Sequence, residues 1–90
     1  MIALKIFTQP GCARCPAAKK LGDKVADEGT TVEHYDISGV DGLAEANMYN
    51  IQATPSLILV DSAEDELVGW RGDIPAYDEL KNAIEEAASS

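Results

Sequence analysis

Histidine and cysteine are nearly missing from this chain: one His and two Cys in ninety residues. A zinc ion wants about four ligands, usually two Cys-x-x-Cys pairs or Cys together with His. One chain therefore cannot close such a site alone, and only a metal ion or cluster shared by two chains stays open. Bases are scarce as well. Seven Lys and Arg face sixteen Asp and Glu, for a net charge of −9. Nucleic acid needs a basic surface for its phosphates, so this balance argues against it as a partner. No apolar stretch approaches the roughly 20 residues of a membrane span. The start has neither a long apolar run nor a small-residue cleavage site, so no signal peptide is expected. A Gly-rich phosphate loop is missing, and a nucleotide domain would not fit, so no cofactor is expected. Repeats, linkers and low-complexity tracts are missing too. What remains is one small domain, residues 1–90, with a thin core. A cytoplasmic setting is expected, where a cysteine pair is more often catalytic or metal-binding than structural.

The charges that are present are unevenly placed. Residues 1–24 carry Lys5, Arg14, Lys19, Lys20 and Lys24 against Asp23 alone, while the remainder carries Arg71 and Lys81 against fifteen acids. The bulk of the acids reads as a solvated surface. The local positive excess surrounds both cysteines.

Apolar periodicity orders the chain. Ala3–Thr8 reads as a strand buried on both faces. Ala17, Leu21 and Val25 recur at helical spacing, with Lys19, Lys20, Asp23 and Lys24 between them. Gly29 closes that helix. Gly22 inside it costs about 1 kcal/mol against Ala, which points to close packing. Thr31–Ile37 is a second strand and Leu43–Tyr49 a short helix. Ser56–Val60 is an almost continuous apolar strand. A polar turn, Asp61–Asp65, joins it to Glu66–Arg71 in a hairpin. Pro75 fits the first turn of a last helix bearing Tyr77, Leu80, Ile84 and Ala87, and Ala88–Ser90 should fray. The order is β-α-β-α-β-β-α. Its first β-α-β is a right-handed parallel crossover, and a mixed four-stranded α/β sheet with helices on both faces covers the apolar surfaces.

Both cysteines lie in "TQPGCARCPAAKKL", residues 8–21. Cys12 falls between the first strand and the first helix, where unpaired N–H groups and the helix dipole favour a thiolate. Arg14 and the cationic helix push the same way. Cys15, one turn further in, should be more buried. The two can close a small reactive disulfide, with Cys12 attacking and Cys15 resolving. Pro16 stiffens the junction, at a position whose N–H would be unbonded anyway. His34 reads as a solvated strand residue. Ala53-Thr54-Pro55 precedes the most apolar strand, and Pro belongs at such a start because it cannot donate a ladder bond. Sequence physics alone makes a cis bond there an outcome of about 6%.

The cysteine loop, the element order and "YNIQATPSLILV" together resemble the thioredoxin/glutaredoxin superfamily over nearly the whole chain. The resemblance implies a cis Pro55 beside the disulfide, with Thr54 contacting the substrate. Thr8-x-Pro10-x-Cys12 is similar to glutaredoxins and to the small glutaredoxin-like redoxins that serve ribonucleotide reductase. "GWRGD", residues 69–73, resembles those redoxins' aromatic-Arg-x-Asp stretch, with Gly72 where they usually have Pro. Trp70 and Arg71 are then expected to meet a protein partner, and Arg14 to contact substrate. Compared with thioredoxins, Gly11 replaces a Trp and Ile6 takes the place of a buried Asp. Compared with a glutathione site, Gln9 replaces a common Lys and Arg71-Gly72-Asp73 lacks a double glycine.

These features imply a cytoplasmic protein-disulfide oxidoreductase, monomeric, recharged by a reductase of the thioredoxin-reductase type. Its substrates would be disulfide-containing proteins, ribonucleotide reductase among them. Three alternatives remain at this point: a glutathione-dependent glutaredoxin, a metal or Fe-S module sharing Cys12 and Cys15 between two chains, and a binding module with idle thiols.

Overall fold

The fold is described from a computed structural model, for residues 1–89. The elements are β1 (Ala3–Thr8), α1 (Cys15–Asp27), β2 (Thr31–Asp36), α2 (Val40–Met48), β3 (Ser56–Val60), β4 (Glu66–Arg71) and α3 (Tyr77–Ser89). The β-α-β-α-β-β-α order of the sequence reading is present. The strands form one sheet in the order β2-β1-β3-β4. β1 and β2 run parallel, with Ile6 beside His34. β3 is antiparallel to both β1 and β4.

The central strands are buried on both faces, as their mostly apolar runs lead one to expect, with Lys5, Thr8 and Ser56 the buried polar exceptions. One face carries Leu4, Ile6, Leu57 and Leu59 under Ala18 and Val25 of α1 and Leu80 and Ile84 of α3. The other carries Phe7, Ile58 and Val60 with Ala46 of α2, Tyr49 and Ile51. Two layers of helix thus enclose one sheet.

Three details differ from the sequence reading. The buried ridge of α1 is Cys15, Ala18, Gly22 and Val25, not Ala17, Leu21 and Val25. Small residues face the sheet because the helix lies very close to it. A Cβ on Gly22 would sit 2.3 Å from Ile6 Cδ1. α2 begins at Val40 rather than Leu43 and turns Gly42 and Ala46 inward. Leu43 and Val40 are exposed, Val40 by 87%. α3 begins at Tyr77, after Pro75. Its first turn closes with Leu80 N–H on the Ala76 carbonyl (3.0 Å), so Pro75 is a buried residue ahead of the helix rather than in its first turn. The helix then runs through Ala88 to Ser89 instead of fraying, because Ala87 packs against the core. Ser90, also expected to fray, lies outside the described residues.

Candidate redox site

β1 ends at Thr8 and delivers the loop Gln9–Arg14 at the C-terminal end of this central strand. The loop is turned by Cys12 N–H on the Gln9 carbonyl (3.4 Å) and Cys15 N–H on the Cys12 carbonyl (3.3 Å). Cys12 and Cys15 are joined in a disulfide, their Cα atoms 5.4 Å apart. Their surroundings differ. Cys15 is 3% exposed, at the first helical position, whereas Cys12 is only partly covered.

The helix end behind them offers fewer free donors than an ordinary first turn. Cys15 N–H already serves the Cys12 carbonyl and Pro16 has no N–H, while Ala18 N–H makes the helix's own first bond, to the Arg14 carbonyl (3.3 Å). Arg14 is the N-cap, and no side chain caps the helix.

The Thr54–Pro55 peptide is cis, and Pro55 is fully buried. Two side chains tie this loop region to the cysteine loop. Gln9 Nε2 donates to Thr54 Oγ1 (3.0 Å). Arg14 Nη2 donates to the Gly72 carbonyl (2.5 Å). Between the first pair opens a polar recess of about 280 Å³, lined by Gln9, Pro10, Gly11, Cys12, Ala13, Arg14 and Thr54. Cys12 therefore borders a hollow that an incoming chain could enter.

Trp70 and Arg71 do not line that recess. Trp70 lies opposite Leu57, packs against the core and donates from Nε1 to Glu79 Oε2 of α3 (3.0 Å). Arg71 binds both carboxylate oxygens of Glu66 (2.6 and 2.9 Å) and donates twice to the Tyr49 carbonyl (2.7 and 3.2 Å). The hydrogen bonds from Arg71 hold the Glu66 carboxyl below its ordinary range, against the effect of burial. The Glu66 carboxylate in turn holds the guanidinium above its own.

The positive excess near the cysteines is smaller than the sequence suggested. Lys5 is 1% exposed, on the α2 side of the sheet. Its ammonium meets Glu64 (2.6 Å), Glu45 (3.0 Å) and Glu33 (3.2 Å), and donates to Tyr35 Oη (3.3 Å). Burial opposes the charge, but the bonds to Glu64, Glu45, Tyr35 and Glu33 outweigh it and hold the ammonium above the usual lysine range. Lys24 lies over the Tyr77 ring (4.0 Å to the centroid). Arg14, Lys19 and Lys20 remain exposed.

Sequence reasoning missed the roles of Ser56 and Gly72. Ser56 is fully buried; its Oγ donates to the Ala53 carbonyl (2.6 Å) and accepts from Gly72 N–H (3.1 Å). A polar residue opening an otherwise apolar strand was the available signal. His34 is exposed, as expected, with Nε2 4.0 Å from Asp23. Among the described residues no three His, Cys, Asp or Glu side chains are grouped to hold a metal, and no helix is long and apolar enough to cross a membrane.

Comparisons with known proteins agree with this geometry. Residues 2–85 match the model of a family described as a thioredoxin domain. A thioredoxin from Methanocaldococcus jannaschii is 31% identical over 84 residues, 92% of each chain. A probable thioredoxin from Archaeoglobus fulgidus is 37% identical over 62 residues, 68% of each. Among solved structures, a mutant thioredoxin from Halobacterium salinarum superposes with a TM-score of 0.81 at 22% identity, covering 94% of this chain and 73% of that one. A thioredoxin f2 solved in complex with ferredoxin:thioredoxin reductase gives 0.73 at 17% identity, covering 99% and 78%. At these identities the structures speak for the fold.

Proposed function

The chain belongs to the thioredoxin family, and on that premise we propose how its cysteines divide the work. It is a thiol–disulfide oxidoreductase whose redox couple is Cys12 and Cys15. In our reading the reduced Cys12 thiolate attacks one sulfur of a substrate disulfide. The substrate's S–S bond breaks, its second sulfur leaves as a thiolate, and a mixed disulfide with Cys12 forms. Cys15, once deprotonated, attacks Cys12 Sγ. That closes the Cys12–Cys15 bond and releases the first substrate sulfur as a thiolate. Two electrons pass to the substrate, and both of its sulfurs leave reduced.

The observation that carries this assignment is the unequal exposure of the two residues. Cys12 borders the recess while Cys15 is 3% exposed behind it. A bulky disulfide can meet Cys12 and cannot meet Cys15, but Cys15 can meet Cys12. Substrate contact falls to Thr54, which lines the recess next to the buried Pro55. Trp70 and Arg71 are committed to the protein's own Glu79, Glu66 and Tyr49.

The donor we propose is a protein reductase of the thioredoxin-reductase type. Support comes from the family membership, from the thioredoxin f2 held by its own reductase, and from Arg71-Gly72-Asp73, which lacks the double glycine of a glutathione site. Substrates would be proteins bearing accessible disulfides, ribonucleotide reductase among them on the strength of the sequence resemblance. The protein would act as a cytoplasmic monomer.

Trapping tests the assignment. Cys15→Ser should accumulate a mixed disulfide through Cys12, and Cys12→Ser should trap nothing and reduce nothing. Faster alkylation of Cys15 than of Cys12 at neutral pH would reverse the roles. The oxidised protein should be reduced by NADPH with a thioredoxin reductase. Rapid turnover with glutathione and its reductase alone would overturn the donor.

A further inference from the structure

Arg14 sits between the two cysteines, where its simplest use is as a positive charge beside the thiolate. Its observed bond serves a different purpose. The guanidinium reaches 58 residues along the chain to the Gly72 carbonyl. The same glycine's N–H is held by Ser56 Oγ, which is itself bonded to the Ala53 carbonyl. The result is a continuous relay: Arg14 to Gly72, Gly72 to Ser56, Ser56 to Ala53. It starts at the N-cap of the cysteine helix and ends one residue before Thr54.

Residue types along this relay are constrained by it. Gly72 has φ +69°, a left-handed conformation that side chains rarely adopt, and a Cβ there would lie 3.2 Å from Ala53 Cβ. Proline, which the similar redoxins usually carry at this place, would supply no N–H for Ser56. Ser56 is fully buried, so its hydroxyl has no solvent to fall back on. Gln9 to Thr54 is a separate bond on the other side of Cys12.

We propose that Arg14 is a positioning residue. Through Gly72 and Ser56 it fixes the Ala53–Thr54 edge against the cysteine loop, so that a substrate chain meets the sulfur and the edge at one spacing. This rests on the reading that the substrate pairs beside Thr54. Arg14 then governs how well substrate is held, not how reactive Cys12 is.

The test compares Arg14→Met, Ser56→Ala and the double variant in steady-state reduction of a protein disulfide, insulin, by a thioredoxin reductase and NADPH. The pH profile of Cys12 alkylation is measured on each. Lys20→Met removes a charge from the same helix without touching the relay and serves as control. Arg14→Met should raise KM for insulin about fivefold, the scale of one ordinary hydrogen bond, with kcat and the alkylation profile unmoved. Ser56→Ala should do the same. The double variant should be no worse than the worse single, because one broken link already frees the edge. Arg14 is exposed, so its variant remains informative should Ser56→Ala fail to fold. An unchanged KM in Arg14→Met would overturn the proposal. So would a shifted alkylation profile at constant KM, which would return Arg14 to the role of a charge. If the wild-type protein reduces no insulin, with thioredoxin reductase and NADPH or with glutathione and its reductase, the functional reading fails first.

Discussion

Glu66 and Arg71 form an ion pair with a definite pH signature. Hydrogen bonds from the guanidinium depress the Glu66 carboxyl in the folded state. A depressed carboxyl contributes stability above the ordinary carboxylate range and loses it as pH falls through the lowered value. Glu66 is 35% exposed, so screening limits the contribution to no more than about 1 kcal/mol. Glu66→Gln should therefore be less stable than wild type at pH 7 by up to that amount, and the gap should close as the solution falls below the carboxylate range. Urea melts at pH 7, 5 and 3 would follow it; a gap that stays constant would mean that packing, not charge, is at stake. At this scale the sequence was legible where chemistry and position coincide. Cys12 and Cys15 were named from their spacing, and the cis Pro55 from the family resemblance. It was illegible where the meaning of a residue depends on a distant partner. Lys5 looked like part of a positive patch because nothing local marks Glu45 and Glu64 as its neighbours. A charge inside a strand buried on both faces was the clue, since such a group needs carboxylates around it.

α1 shows how element and packing can be read to different depths. Periodicity fixed the existence of the helix but chose Ala17 and Leu21 for its inner face, since larger apolar residues ordinarily face a core. The middle of the inner face is Ala18 and Gly22, between Cys15 and Val25, and at Gly22 the axis lies too close to β1 for anything larger. α2 was misplaced for the same reason: Leu43 drew the boundary, while Gly42 and Ala46 make the contact. The helix preference of Ala over Gly, about 1 kcal/mol, is thus set against a collision at Gly22. Its Cβ would meet Ile6 Cδ1 at 2.3 Å and Val32 Cγ1 at 3.4 Å, and Ile6 is fully buried. Gly22→Ala should be destabilising by about 1–2 kcal/mol, an ordinary overpacking cost. Ile6→Val removes the atom that collides. In that background Gly22→Ala should become neutral or stabilising by up to about 1 kcal/mol. Additive behaviour of the two substitutions in thermal melts would show that the helix shifts away instead.

The whole molecule was the most legible level in outline, because seven elements in the order β-α-β-α-β-β-α with two largely apolar strands admit few arrangements. Its ties across the sheet were not legible; no periodicity announces a bond from Arg14 to Gly72. Net charge, by contrast, is a property of the whole that composition gives directly. Sixteen acids against seven bases leave −9 on ninety residues. The ion pairs do little to relieve it. Lys5 is shared among three glutamates and so offsets only one of their charges. Compacting such a chain costs self-repulsion, which salt screens as the Debye length falls from about 10 Å at 0.1 M to about 3 Å at 1 M. Surface ion pairs weaken over the same range but contribute little to begin with. Repulsion should win, and NaCl between 0.1 and 1 M should raise the melting temperature at pH 7. A gain of about 1 kcal/mol would appear as roughly 4–8 °C for a domain of this size. The same titration near pH 4.3, where the net charge approaches zero, should give a much smaller rise. An equal rise at both pH values would assign the effect to salt acting on apolar surface rather than to repulsion among the acids.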